Sequence, residues 1–161
     1  MTETAELPTI LARLQRVLDE VCRAVDGLSE SQLNWRPPAG GTNSIYVLAT
    51  HILGNAEAWV LGIACELPVE RDRGAEFRSA APDASAIVAK ARELGRRFED
   101  ALGELRPAEL EETRDPPAPL WGAGTPKPVT VREAFFHVIE HANEHLGHIG
   151  VTRDWMRATQ G

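Results

Sequence analysis

The sequence predicts an all-α fold, a four-helix bundle with long crossover connections, and three observations carry that expectation. Aliphatic residues and alanine dominate while aromatics make up only 6%, so the alternating β-branched runs of a sheet are missing. Four stretches repeat apolar residues three to four positions apart, the period of one buried helix face. The segments between them are rich in proline and glycine, which a helix does not cross. At 161 residues the chain is expected to be a single domain, residues 1–161, long enough to close one core without disulfide staples.

The first helix is expected over "LPTILARLQRVLDEVCRAVDGL", where Ile10, Leu14, Val17, Leu18, Val21 and Val25 share a face, with an end near Gly27. In "LSESQLNWRPPAGGTN", Ser29 and Gln32 have capping-box spacing for a short turn, and Pro37, Pro38, Gly40 and Gly41 forbid its continuation. The second helix is expected to start at Asn43 or Ser44 and reach about Ala64, with Leu48, His51, Ile52, Asn55 and Trp59 on its inward side. "ELPVERDRGAEFRSAAPD" reads as a long connection, after which Asp83 or Ser85 is placed to cap a third helix carrying Ile87, Val88, Ala91, Leu94, Phe98 and Leu102. Six prolines between Arg106 and Val129 leave room only for a short helix in "PAELEE". Thr130 and Glu133 have capping-box spacing for a fourth helix, expected to run to about Met156.

The formal net charge is −7, and the 17 lysines and arginines are scattered. Such a surface repels phosphate backbones, so no nucleic-acid partner is expected. The first ten residues, "MTETAELPTI", lack a basic region followed by an apolar run, and no segment approaches 18 uninterrupted apolar residues. A cytoplasmic location without a membrane partner is therefore expected. Cys22 and Cys65 fall inside helical patterns without CxxC spacing, which suits buried free thiols.

Four of the five histidines stand in "HVIEHANEHLGHIG". At about 100° per residue, with His137 at zero, His148 falls near 20°, His141 near 40° and His145 near 80°. Val138, Ala142, Phe135 and Ile149 lie at roughly 100° to 160°. His141 and His145 thus sit nearest the core, and His137 and His148 toward the edge. A pair at i and i+4 lets two imidazoles reach one metal ion at about 2.1 Å. The fifth histidine, His51, faces inward from another helix, and bundles build metal centres from facing helices. The arrangement therefore points to a metal site. Di-iron bundles need Glu-x-x-His pairs, and none occurs here. "HANEH" spells H-x-x-E-H with Glu144 as a would-be base, but only 16 residues follow His145, too few to bring another ligand, so a peptidase is not expected.

The order of "GLSESQLNWRP", an inward histidine in "SIYVLATHILGNAEAW", a long proline-bearing connection and a last helix with HxxxHxGHI resembles the DinB/YfiT-like superfamily of small metal-binding four-helix bundles, over essentially the whole chain. The resemblance implies a divalent metal held by His51, His141 and His145, with His137 and His148 outside the ligand set, where they can at most orient or shield the site. It also implies kinship with mycothiol-dependent maleylpyruvate isomerase and bacillithiol S-transferase-like proteins, and a homodimer. That isomerase has a glutamate where this chain has His141, and a second C-terminal domain, so its activity is not expected here.

Three neutral imidazoles suit Zn, Ni, Co or Fe(II) and leave positions for water or substrate. Such an ion lowers the pKa of a bound water or thiol. Read with the resemblance, the preferred expectation is a low-molecular-weight thiol, such as mycothiol or bacillithiol, activated for S-transfer to a small electrophile. A hydrolase using metal-derived hydroxide and a non-catalytic bundle fastened by its metal are the alternatives. Asn55, one turn beyond His51, is read as a helix neighbour or a ligand contact, and Glu144 as a solvated edge residue. Trp121, in "PPAPLWGAGTPKP", is read equally as part of a lid or as a plug over the bundle's end. Trp35 and Trp59 are expected as core or dimer contacts rather than ligand platforms.

Overall fold

The computed structural model describes residues 6–160. The expectation drawn from the first ten residues rests partly on residues 1–5, outside the described residues. In chain order the elements are α1 (Glu6–Val25), α2 (Glu30–Asn34), α3 (Ile45–Ala56) continued by π-helical turns over Glu57–Ala64, α4 (Arg73–Phe77), α5 (Ser85–Glu104), a 3-10 turn at Pro107–Glu111, β1 (Thr113–Arg114), α6 (Ala118–Trp121), β2 (Val129–Thr130) and α7 (Val131–Gln160). Helices α1, α3 with its π-helical extension, α5 and α7 form the four-helix bundle. Helix α1 packs on α5 and α7, and α3 packs on α7.

The apolar face of α1 is buried as its spacing predicts, from Ile10 to Val25, and Gly27 ends the turn with φ 68°. Both halves of the α2 capping box form: Gln32 N–H donates to Ser29 Oγ at 3.3 Å and Ser29 N–H to Gln32 Oε1 at 2.9 Å. Ser44 caps α3 by accepting from Val47 N–H at 3.2 Å. The segment Ile45–Ala64 has 20 residues and a mean hydropathy of 1.3, long and apolar enough to cross a membrane, yet 78% of its most apolar stretch is buried inside the bundle. From Glu57 the helix widens, and Cys65 N–H reaches back five residues to Val60 O at 3.1 Å.

The start of α5 differs from expectation. Ala84 occupies the cap position, and Asp83 Oδ1 instead accepts from Ser85 N–H at 2.8 Å, a short-range turn that ends just before the helix. Helix α7 begins as its capping box predicts, with Thr130 N–H on Glu133 Oε2 at 2.7 Å and Glu133 N–H on Thr130 Oγ1 at 3.1 Å, but continues past Met156 to Gln160. The connections hold more structure than "PAELEE" alone. Helix α4 forms where Asp72 Oδ1 accepts from Ala75 N–H at 2.9 Å, and α6 starts at a proline-rich N-terminus that needs no N–H donors. Strands β1 and β2 pair antiparallel, Thr113 with Thr130 and Arg114 with Val129. Two-residue strands and single-turn helices are too short to show a period.

Candidate metal centre and its cavity

His51 is held on α3 at 4% exposure, and the single turn of α7 between His141 and His145 faces it. The ring centroids lie 4.9 Å apart for His51 and His141, 5.0 Å for His51 and His145, and 4.5 Å for His141 and His145. One nitrogen from each falls within 4.8 Å of the others. The structure thus brings together the three histidines that the helical wheel and the resemblance single out.

His51 is fixed from behind by residues that sequence reasoning missed. Its Nδ1 donates to Glu76 Oε2 at 2.7 Å, while Arg71 donates through Nε to Oε1 at 2.7 Å and through a terminal nitrogen to Oε2 at 3.1 Å. Burial alone would raise the Glu76 pKa, but the hydrogen bonds from His51 and Arg71 and the Arg71 charge outweigh it and hold the carboxyl below its ordinary range. An ionised Glu76 only accepts, so Nδ1 carries a proton and Nε2 is the atom turned toward His141. The Glu76 carboxylate also lies against α3 where a side chain would stand: a Cβ on Gly54 would fall 2.2 Å from Oε1. The signals were a glycine in the middle of an apolar helix and an Asp72 cap ahead of Glu76. Neither has a period, and both lie apart from the histidine stripe.

The other imidazoles divide by depth. His51 Nε2 and His141 Nε2 are 3.1 Å apart, and His141 Nδ1 is buried without a hydrogen-bond partner among the described residues. Burial, followed by the fields of His145, His51, His137 and Arg71, pushes His141 down to about 3. Burial, then His51 and His148, also lowers His145. All three candidate ligands offer nitrogen donors, and neutral imidazoles converging from facing helices fit a borderline divalent transition metal. His148 is exposed, with its Nδ1 3.2 Å from that of His145, and Glu144 is exposed at the edge.

His137 departs from its expected place at the edge. Its ring stacks on Trp59 at 3.7 Å with 23° between the planes, and its Nε2 meets Asn55 Nδ2 at 3.3 Å. Burial, followed by the Arg71 charge, pushes it down to about 4. The wider turns after Ala56 and the bulk of Trp59 give this ring an apolar wall that an ideal wheel does not contain. Trp59, 3% exposed, is accordingly a cavity wall as well as a core residue, and Trp121 packs on it at 5.0 Å. Trp35 is half-buried against the core. Neither cysteine joins the site: Cys22 is half-buried, and burial pushes the Cys65 thiol up to about 12. His51, Asn55, Trp59, Trp121, Phe136, His137 and His141 line a cavity of about 680 Å³, with Arg71, Arg73, Lys127, Glu133 and Glu140 also in its wall.

A helical bundle that brings three imidazoles together from two facing helices, two of them on the wall of a cavity, defines a class of small bundle proteins built around a candidate histidine ligand set. Within that class the chain belongs to the DinB superfamily, whose sequence profile matches residues 13–149. Three solved structures share its fold. YfiT from Bacillus subtilis, described as a probable metal-dependent hydrolase with an unusual four-helix bundle topology, is 18% identical with a TM-score of 0.71, over 97% of this chain and 90% of that one. A DinB-like protein from Bacillus cereus ATCC 10987 is 19% identical with a TM-score of 0.64, over 96% and 90%. A conserved protein from Enterococcus faecalis is 16% identical with a TM-score of 0.64, over 92% and 95%. No curated protein matches the sequence.

Proposed function

We propose that the chain is a metal-dependent hydrolase of small molecules, in which His51, His141 and His145 hold a divalent Zn, Ni, Co or Fe ion. The observation that carries this reading is the approach of three imidazole nitrogens to within 4.8 Å of one another, two of the rings lining a cavity of about 680 Å³. The description of YfiT as a probable metal-dependent hydrolase supports it. When bound, such an ion acts as a Lewis acid and lowers the pKa of a bound water or thiol, supplying a nucleophile at neutral pH. The chain's own residues do the rest. Glu76 and Arg71 keep the His51 proton on Nδ1 and aim Nε2 inward. Trp59, Trp121 and Phe136 provide apolar walls that exclude water from a bound substrate. His137, neutral at pH 7, offers hydrogen bonding beside the ligand set without adding charge.

Activation of a low-molecular-weight thiol for S-transfer is the second reading, favoured by a cavity large enough for a co-substrate as well as a small electrophile. A purely structural ion is disfavoured because structural sites are usually closed by four protein ligands, and the group found among the described residues holds three. The test is protein reconstituted with Co(II). Hydrolysis of activated esters or amides that disappears on chelation and in His51→Ala supports the first reading. A saturable sulfur-to-cobalt absorption on adding a thiol, followed by thiol consumption with an electrophile, replaces it with the second. Inertness in both overturns both.

A further inference from the structure

We infer that the cavity holds an amide group of its ligand, gripped between Asn55 and Trp59 beside His137. The proposal depends on the cavity being the ligand site and stands apart from the choice of metal chemistry.

Asn55 and Trp59 are 4% and 3% exposed, and both line the cavity. Asn55 Oδ1 and Trp59 Nε1 are sealed from solvent and have no hydrogen-bond partner among the described residues, a state that folded proteins seldom leave unexplained. The two side chains form one patch with His137, which receives Asn55 Nδ2 at 3.3 Å and stacks on Trp59 at 3.7 Å. The π-helical turns that begin at Glu57 carry Trp59, and such turns recur where a helix serves a site.

The chemistry of the two unpaired atoms is restrictive. An indole N–H only donates, and an amide oxygen only accepts. A ligand that satisfies both must bring an acceptor to the indole N–H and a donor to the amide oxygen, as the adjacent C=O and N–H of a carboxamide do; a hydroxyl does so only if one oxygen reaches both atoms. An ester brings no donor, and a carboxylate sets negative charge against Asn55 Oδ1, so both leave a buried group unpaired. The two atoms are sealed in this structure, so a ligand reaches them only when a neighbouring side chain such as Trp121, which packs on Trp59 at 5.0 Å, gives way.

The test follows the Trp59 indole N–H signal by NMR in ¹⁵N-labelled full-length protein, assigned with Trp59→Phe, during titration with benzamide, methyl benzoate and benzoate. A saturable shift is expected with benzamide, with affinity at least roughly tenfold above the ester and the acid. Asn55→Ala should bring benzamide down to the level of the ester. No movement of the Trp59 signal, equal affinities, or tightest binding of benzoate would overturn the proposal. If Asn55→Ala fails to fold, the selectivity of the unaltered protein across the three probes decides alone. The titration is run on metal-free and zinc-loaded samples with zinc measured in each. Protein that binds benzamide but no zinc refutes the hydrolase reading and leaves this one standing.

Discussion

His51 meets its neighbours with its ring fastened from behind, Nδ1–H on Glu76 at 2.7 Å and Glu76 on Arg71, whereas among the described residues His141 has a buried Nδ1 with no hydrogen-bond partner and His145 finds hydrogen-bond distance only to the exposed His148. The α3 side of the site is organised by a buried carboxylate and guanidinium brought in from α4 and the segment before it. The α7 side is organised by helical spacing alone. One side therefore depends on tertiary contacts distant in sequence, and the other on a local repeat.

The largest expected effect breaks the set on either side. His51→Ala, His141→Ala and His145→Ala should each weaken zinc binding by more than about 100-fold, measured with a competing chelator, beyond the range usual for residues that only orient ligands. His137→Ala should stay within about tenfold, and equal losses at all four positions would dissolve the distinction between ligands and neighbours.

Next in size is Glu76→Ala, which leaves the buried Arg71 side chain with only the Leu120 carbonyl as a hydrogen-bond partner among the described residues. Breaking a buried ion pair in this way should cost about 3 kcal/mol in urea unfolding, and freeing the His51 ring should weaken zinc binding about 10- to 100-fold. Gly54→Ala acts on the same side by crowding the carboxylate, with an expected loss of about 1–3 kcal/mol. His148→Ala, the corresponding removal on the α7 side, should change zinc affinity less than Glu76→Ala does. A loss as large would erase the asymmetry.

The smallest effect is a pH slope in metal-free protein. Unfolded histidine takes up a proton near pH 6.5, while folded His137 and His141 stay neutral to about 4 and 3. Their folded pKa values are lowered, so the unfolded chain binds more protons over this window and stability falls as pH drops from about 6.5 toward 4. Each contributes less than about 1.4 kcal/mol per unit, because both rings keep some solvent contact. Glu76, whose folded pKa is also lowered, adds a loss of the same sign once pH drops below the ordinary carboxylate range. His141→Gln should therefore flatten the slope between pH 6.5 and 5, where Glu76 is silent.

The asymmetry also explains what could be read from the sequence. Ser44, the Ser29–Gln32 and Thr130–Glu133 boxes and the faces of α1, α3, α5 and α7 follow from spacing within a few residues, and so does the approach of His141 and His145 to one stripe. Glu76 and Arg71 stand among the arginines and acids of a segment that looks like an ordinary connection, and only packing against Gly54 distinguishes them. His137, placed by the wheel at the edge of the stripe and read as a candidate pocket residue, lines the cavity more deeply than the wheel suggests, since its position depends on Trp59 and on π-helical turns that an ideal 3.6-residue period omits.

The apolar helix Ile45–Ala64 has a consequence for how the chain is made. It leaves the ribosome before α5 and α7, the helices that complete its cover, exist. During that interval its length and mean hydropathy of 1.3 resemble those of a membrane anchor. The polar residues that interrupt it, His51, Asn55 and Glu57, are also the ones that face α7 and α5 across the finished bundle. Two of these side chains, His51 and Asn55, thus line the cavity, and all three lower the hydropathy of the nascent segment. Exchanging all three for leucine would remove the ligand and, on transfer scales, shift the segment toward recognition by the insertion machinery. Such a variant should shift from the supernatant to the membrane and aggregate fractions on cell fractionation, and full recovery in the supernatant would refute this.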